Sequence, residues 1–222
     1  MTETQAAKIL ELLRDSVALP ALVKPKNDPF RTLVTTIISQ NTADTNTERA
    51  FESLSKSFEI TPQALANAET SAIEKCLRVA GLYKTKAQTI QTASKRITQE
   101  FNGSLTPILK LPLEQARKAL MEFPGVGPKT ADVVLLFSAS RPTIPVDTHV
   151  NRVAKRLGLA PAKGDYEAVR LSLQSFFEPK DYLAVHLLLI GHGRKFCKAV
   201  RPRCAVCTLS SYCPSKSMGA EK

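Results

Sequence analysis

Apolar residues recur at helical spacing along almost the whole chain, and nowhere do they alternate with polar residues over the length of a strand. Asp28-Pro29 offers an N-cap followed by proline at the first helical position. Phe30, Leu33, Val34, Ile37 and Ile38 then form one apolar face. Thr61-Pro62 repeats the cap-and-proline signal, and Asp44 is placed to cap a helix carrying Ala50, Phe51 and Leu54. Further helices are predicted over 71–80, 85–101, 112–122, 128–138, 148–157, 166–177 and 181–190. Gly81 and Asn102-Gly103 supply stops for two of them. No Asn-Gly turn joins two strand-like runs, and no repeat or low-complexity linker interrupts the pattern. The expected fold class is all-α.

A helical chain of 222 residues is long enough for one large domain or two smaller lobes. Pro20, Pro25 and Pro29 mark a turn-rich stretch where the chain would cross from one lobe to the other, and residues 215–222 read as a frayed tail. The longest apolar stretch, 183–190, is interrupted by His186 and falls far short of the roughly 20 residues a membrane span needs. The N-terminus has no apolar signal region, so an intracellular, cytoplasmic location is expected. Thirty-one Lys and Arg against 20 Asp and Glu give a net charge of +11. Such an excess fits either a polyanionic partner, nucleic acid above all, or solubility alone.

Five cysteines in an intracellular chain do not suggest disulfides. Cys76 stands apart and reads as a small buried residue on a helix. Cys197, Cys204, Cys207 and Cys213, separated by six, two and five residues, supply four thiolates in a short loop. That chemistry suits zinc or an iron–sulfur cluster. Lys198, Arg201 and Arg203 stand between the thiols, with Arg194 and Lys195 just before, and no acid interrupts 193–203. A cross-linked loop would hold these cations against phosphates; otherwise they form a solvated charge run.

Residues 122–131, Glu-Phe-Pro-Gly-Val-Gly-Pro-Lys-Thr-Ala, lie between two predicted helices. Gly125 and Gly127 are expected to free the backbone for unusual φ values, with Val126 anchoring the turn and Ala131 keeping the helices close. Backbone N–H groups at such a turn and helix start make an anion site suited to a phosphate. Lys129 stands just inside that helix, where the positive end of the dipole disfavours an ammonium. Asp147 lies 18 residues further on and is placed to cap the helix starting at Thr148.

The segment Phe123–Ala131 resembles the helix-hairpin-helix of the endonuclease III family of DNA glycosylases, and Val146-Asp147-Thr148-His149-Val150 is similar to the family's aspartate motif. Gly81-Leu82-Tyr83, Ile37-Ile38-Ser39-Gln40-Asn41-Thr42 and the cysteine spacing resemble the family too. The resemblance runs over about residues 30–214. It implies an all-α, two-lobed fold: a helical bundle over 27–139 ending in the hairpin, and a discontinuous domain of 1–26 plus 140–222 with a C-terminal cluster loop. It implies a monomeric glycosylase and abasic-site lyase of base excision repair acting on double-stranded DNA. That enzyme would remove damaged bases, oxidised pyrimidines foremost, and nick the strand by β-elimination.

By the same resemblance Lys129 would form a Schiff base with the opened sugar, and Asp147 would stabilise positive charge at C1′. A 4Fe–4S cluster would be held by Cys197, Cys204, Cys207 and Cys213. DNA contacts would come from Gly125, Val126, Gly127 and Thr130 of the hairpin, and from Lys198, Arg201 and Arg203 of the loop. Leu82 would enter the duplex as a wedge, unless it is an ordinary core leucine, and Gln40, Asn41 and Thr42 would fill the gap left by the flipped base. Familiar members carry glutamine at the position of Asn41, so Gln40 and Asn41 compete for that part. His149, His186 and His192 are expected in structural roles rather than as ligands. An adenine-mispair glycosylase usually lacks this lysine and carries a further domain, and a thymine-mismatch glycosylase typically has tyrosine in its place. A non-catalytic DNA-binding module would need neither Lys129 nor Asp147.

Overall fold

The computed structural model describes residues 2–18 and 28–216. Pro20 and Pro25 of the turn-rich stretch, and the tail beyond residue 216, lie outside the described residues. Every extended element among the described residues is a helix, and none is a strand. The chain divides into two compact units, Pro25–Arg141 and Met1–Lys24 with Pro142–Lys222. No helix is long and apolar enough to cross a membrane among the described residues.

The second helix in chain order, α2 (Pro29–Ser39), opens the bundle unit, after α1 (Glu3–Ser16) of the other unit. Asp28 caps α2 by accepting from the Arg31 N–H, and Pro29 fills the first helical position. All five residues of the apolar face read from the sequence are buried. There follow α3 (Asp44–Ser57), α4 (Pro62–Asn67), α5 (Thr70–Leu77), α6 (Tyr83–Glu100), α7 (Thr106–Leu109), α8 (Leu113–Met121) and α9 (Pro128–Ala139). Helix α2 packs on α9, α4 on α6, and α8 on α9. Leu33, Ile37, Leu54, Ile73, Leu77, Ile90, Ile97 and Leu120 fill the core, each fully or almost fully buried. Each such side chain contributes about 1.5–3 kcal/mol.

In the other unit α1, α10 (Thr148–Leu157), α11 (Tyr166–Phe176) and α12 (Tyr182–Lys195) surround Ile9, Leu13, Val150, Val153, Leu173, Val185 and Leu188. After α12 the cysteine segment continues in two short 3-10 turns, Cys204–Val206 and Ser210–Tyr212.

Several expectations need correction. The N-cap of α3 is Ala43, with no side-chain cap, and Asp44 lies within the first turn. Helix α6 begins two residues before the expected 85, because the chain enters it directly from a left-handed turn at Leu82. Helix α12 continues past 190 to Lys195 despite two glycines. Those glycines serve packing: a Cβ at Gly191 would lie 2.4 Å from Val17 Cγ1, and one at Gly193 would lie 3.1 Å from His149. Helix α7, a single turn of four residues, is too short for apolar periodicity to reveal it.

Candidate active site

The hairpin between α8 and α9 is built around one left-handed glycine and one anchor. Gly125 has φ +69, and a Cβ there would also meet Thr89 Cγ2 at 2.7 Å, so glycine is required twice over. Val126 is buried and closes the turn through its N–H to Phe123 O at 3.1 Å. Gly127 departs from expectation: its φ of −92 is open to any residue, and a Cβ would meet nothing within 4 Å. The chain itself thus gives no reason for glycine at 127, and the backbone there stays bare to an approaching partner. Pro128 fills the first helical position of α9, and Ala131 is fully buried. Lys129 is half-buried in the first turn. Thr130 is 3% exposed, so contact with a partner would fall to its backbone N–H rather than its hydroxyl.

Beneath the hairpin, Arg117 of α8 donates to Asp132 of α9 through Nε to Oδ1 at 2.8 Å and Nη2 to Oδ2 at 3.1 Å. Both side chains are almost wholly buried, and Arg117 also meets Glu114. This two-pronged pair fixes the two hairpin helices to one another.

Gln40 and Asn41 separate clearly. The Gln40 amide donates to Gly125 O at 2.9 Å and lies 3.4 Å from Thr130 Oγ1, so it braces the hairpin. Asn41 is exposed at the tip of its turn, with φ 52. Leu82 is 62% exposed with φ 47, which removes the core-leucine reading. A left-handed backbone costs about 1–2 kcal/mol for a side chain like leucine, and asparagine tolerates it better.

Between these two turns stands Lys86, which no sequence motif singles out. It is 3% exposed, and its Nζ donates to Ile38 O at 2.8 Å, Ala80 O at 2.9 Å and Thr42 Oγ1 at 2.5 Å. The Thr42 hydroxyl donates in turn to Ala80 O. Burial pushes the Lys86 pKa below the ordinary lysine value. A signal was present: Lys86 shares the apolar face of Ile90, Ala93 and Ile97, where lysine is out of place.

In the other unit Asp147 caps α10, its Oδ1 accepting from the Val150 N–H at 2.7 Å. It lines an open cleft of about 320 Å³ with Thr148, Asn151, Lys155, Asp165 and Tyr166. The Tyr166 hydroxyl accepts from the Val146 N–H at 3.3 Å, steadying the residue before the aspartate. His149 Nδ1 lies 3.1 Å from Arg152 Nη2, and buried His186 reaches Pro145 O at 2.9 Å, so both have structural partners.

The four late cysteines line one cavity with Arg156, His192 and Phe196. Two arginines of α10 brace its wall. Arg152 donates to Cys197 O at 2.9 Å and Gly193 O at 3.2 Å, and Arg156 donates to Lys198 O at 2.7 Å and Ala199 O at 3.2 Å. Burial pushes the Cys207 and Cys213 thiols up, and their neighbouring thiols add to the shift. His192 is buried, and desolvation pushes its pKa down to about 4, so the ring is neutral at ordinary pH. Its Nε2 lies 3.7 Å from Cys207 Sγ, and its Nδ1 has no partner among the described residues.

Among the described residues no three Cys, His, Asp or Glu side chains come close enough to share a single metal ion. The four thiols line one cavity, a donor set that suits zinc or an iron–sulfur cluster. Lys198, Arg201 and Arg203 are exposed on this loop, whereas Lys195 donates to Ser16 O at 3.0 Å.

These features have counterparts in known proteins. The sequence model of the HhH-GPD superfamily base excision DNA repair proteins matches residues 34–179. Endonuclease III of Sulfolobus acidocaldarius is 36% identical over 185 residues, 83% of this chain and 81% of the relative. That of Haemophilus influenzae is 33% identical over 218 residues, 97% of this chain and 98% of the relative. A trapped endonuclease III–DNA covalent intermediate superposes with a TM-score of 0.86 at 28% identity, covering 100% of both chains. A thermostable thymine-DNA glycosylase, at 18% identity and TM-score 0.74, shares the fold. The helix-hairpin-helix scaffold is thus that of a base excision repair protein. Within that superfamily the chain belongs to the endonuclease III family of DNA glycosylase/AP lyases.

Proposed function

We propose that this chain excises damaged bases, oxidised pyrimidines foremost, from duplex DNA and then cleaves the strand 3′ to the abasic site, with Lys129 as nucleophile and Asp147 as the carboxylate that stabilises positive charge on the sugar. The observation that carries this reading is the placement of an amine in the first turn of α9, directly after a hairpin whose bare Gly127 has no reason inside the chain. The hairpin backbone holds a phosphate by its N–H groups and the helix dipole. That grip sets the sugar of the neighbouring nucleotide before the Lys129 amine. Attack at C1′ breaks the bond to the base and forms a carbon–nitrogen bond. Loss of the ring oxygen bond gives the Schiff base, and removal of a C2′ proton expels the 3′ phosphate. Asp147, fixed in direction by its cap bond, stabilises positive charge at C1′.

Leu82 acts as the wedge and Asn41 fills the vacated space, since Gln40 is engaged with the hairpin. Cys197, Cys204, Cys207 and Cys213 hold a 4Fe–4S cluster, a reading supported by the shared cavity, the spacing of the four cysteines and the neutral His192 ring facing Cys207. When bound, the cluster supplies a rigid cross-link that holds Lys198, Arg201 and Arg203 toward phosphates. Acting on DNA, the enzyme works inside the cell, as a monomer.

Borohydride with abasic-site duplex tests the central step. It is expected to trap a covalent adduct with the wild type and none with Lys129→Gln, while duplex binding persists. An undiminished adduct from the variant removes Lys129 from the mechanism.

A further inference from the structure

We propose that Lys86 is a positioning residue for base extrusion: its buried ammonium ties the Gln40–Thr42 turn to the Gly81–Leu82 turn, so that Asn41 and Leu82 enter the duplex as a preset pair. The proposal rests on the repair reading above and adds a residue that touches neither DNA nor the reacting atoms.

The geometry is that of a clamp. The three N–H groups of Lys86 meet three acceptors from different segments. Ile38 O belongs to the last turn of α2, where carbonyls have no partner within the helix. Thr42 Oγ1 belongs to the turn that follows, one residue beyond Asn41. Ala80 O belongs to the turn that precedes α6, two residues before Leu82. The Thr42 hydroxyl closes the knot by donating to that same Ala80 carbonyl. Lys86 itself lies one helical turn after Leu82, its own N–H bonded to Leu82 O at 3.0 Å.

A packing role alone would not call for this residue. Its neighbours on the same face are alanine and isoleucine, and an apolar side chain would fill the space without desolvating a charge. What the ammonium adds is a link between two turns about 40 residues apart. Both turns end in an exposed side chain on a left-handed backbone, Asn41 at φ 52 and Leu82 at φ 47. For a leucine such a conformation persists only when the surroundings over-determine it. A wedge and a plug must reach one base step in fixed register, and ordering loose turns at the moment of binding would subtract from the extrusion equilibrium.

The test compares a step that needs extrusion with one that does not. Lys86→Met keeps the volume and removes the donors, and Lys86→Gln keeps an amide of shorter reach. Each is assayed for excision from a duplex carrying one oxidised pyrimidine, with 2-aminopurine beside the lesion, and for borohydride trapping on a single-stranded abasic oligonucleotide. Lys86→Met is expected to lower duplex excision roughly 10- to 100-fold and to abolish the 2-aminopurine rise, while single-strand trapping stays within about twofold. Lys86→Gln should show the same selective defect to a smaller degree, and it decides the matter alone if the methionine variant does not fold. An equal defect on both substrates, or none on the duplex, overturns the proposal and leaves Lys86 as a helix-end brace. A wild type that neither excises nor traps would instead overturn the repair reading itself.

Discussion

At Asp147 one carboxylate serves two ends. It caps α10 through Oδ1, and its charge is what the proposed chemistry needs at C1′. The two roles separate because asparagine caps a helix about as well as aspartate. Asp147→Asn is expected to leave stability within about 0.5 kcal/mol of the wild type and to lower duplex base excision by roughly 10²–10³. Urea unfolding and single-turnover excision on a one-lesion duplex read the two effects, and normal turnover would leave Asp147 as a cap only. Both the cap and the candidate charge were legible in the sequence, because an N-cap is set by residues within three positions of one another. Lys86 was not, because its meaning depends on carbonyls at Ile38 and Ala80 that only the fold brings to it. For the same reason the choice between Gln40 and Asn41 is open in the sequence and is narrowed by the Gln40 amide resting on Gly125 O.

Among the elements, the hairpin helices are held by the Arg117–Asp132 pair rather than by apolar contact alone. Removing one partner strands a charge in the core. Arg117→Met should therefore destabilise the protein by about 3–5 kcal/mol, whereas Arg117→Met with Asp132→Leu should recover most of that stability. Denaturation midpoints of the two variants check this; a single variant as stable as the wild type would mean that water reaches Asp132. The boundaries of most helices were legible from caps, prolines and apolar faces, all of them local signals. Helix α12 outran its expected end because Gly191 and Gly193 answer to Val17 and His149, which are distant in sequence. Helix α10 shows a further layer. Asp147 stands at its N-terminus, and Arg152 and Arg156, one turn apart, grip the carbonyls of the cysteine loop.

For the whole molecule, the excess of 11 positive charges becomes a question of where cations are exposed. Lys198 and Arg201 are exposed on the braced loop, with Arg201 at φ 50. Removing one cation from a phosphate should reduce the salt-dependence slope of duplex binding by about 0.9, so Lys198→Ala with Arg201→Ala should flatten it by about 1.8. Affinity should fall alike for damaged and undamaged duplex, since the phosphate backbone carries no sequence or lesion information. Iron analysis should still give about four atoms per chain. A slope equal to that of the wild type would mean that these two cations face solvent in the complex as well.

The sequence by itself determined the helical class, the places where helices start, the hairpin and the four-thiol spacing, because each is written in residues a few positions apart. Tertiary structure decided which of those residues are available. It buried Thr130 and turned Gln40 inward, left Asn41 and Leu82 exposed on left-handed turns, gathered the thiols around one cavity, and closed Lys86 into a knot of carbonyls. The division has one physical cause. Caps, prolines and apolar periodicity act within a turn or two of helix. The partner of a buried ammonium, a bracing amide or a packed glycine is fixed only when segments far apart in the sequence meet.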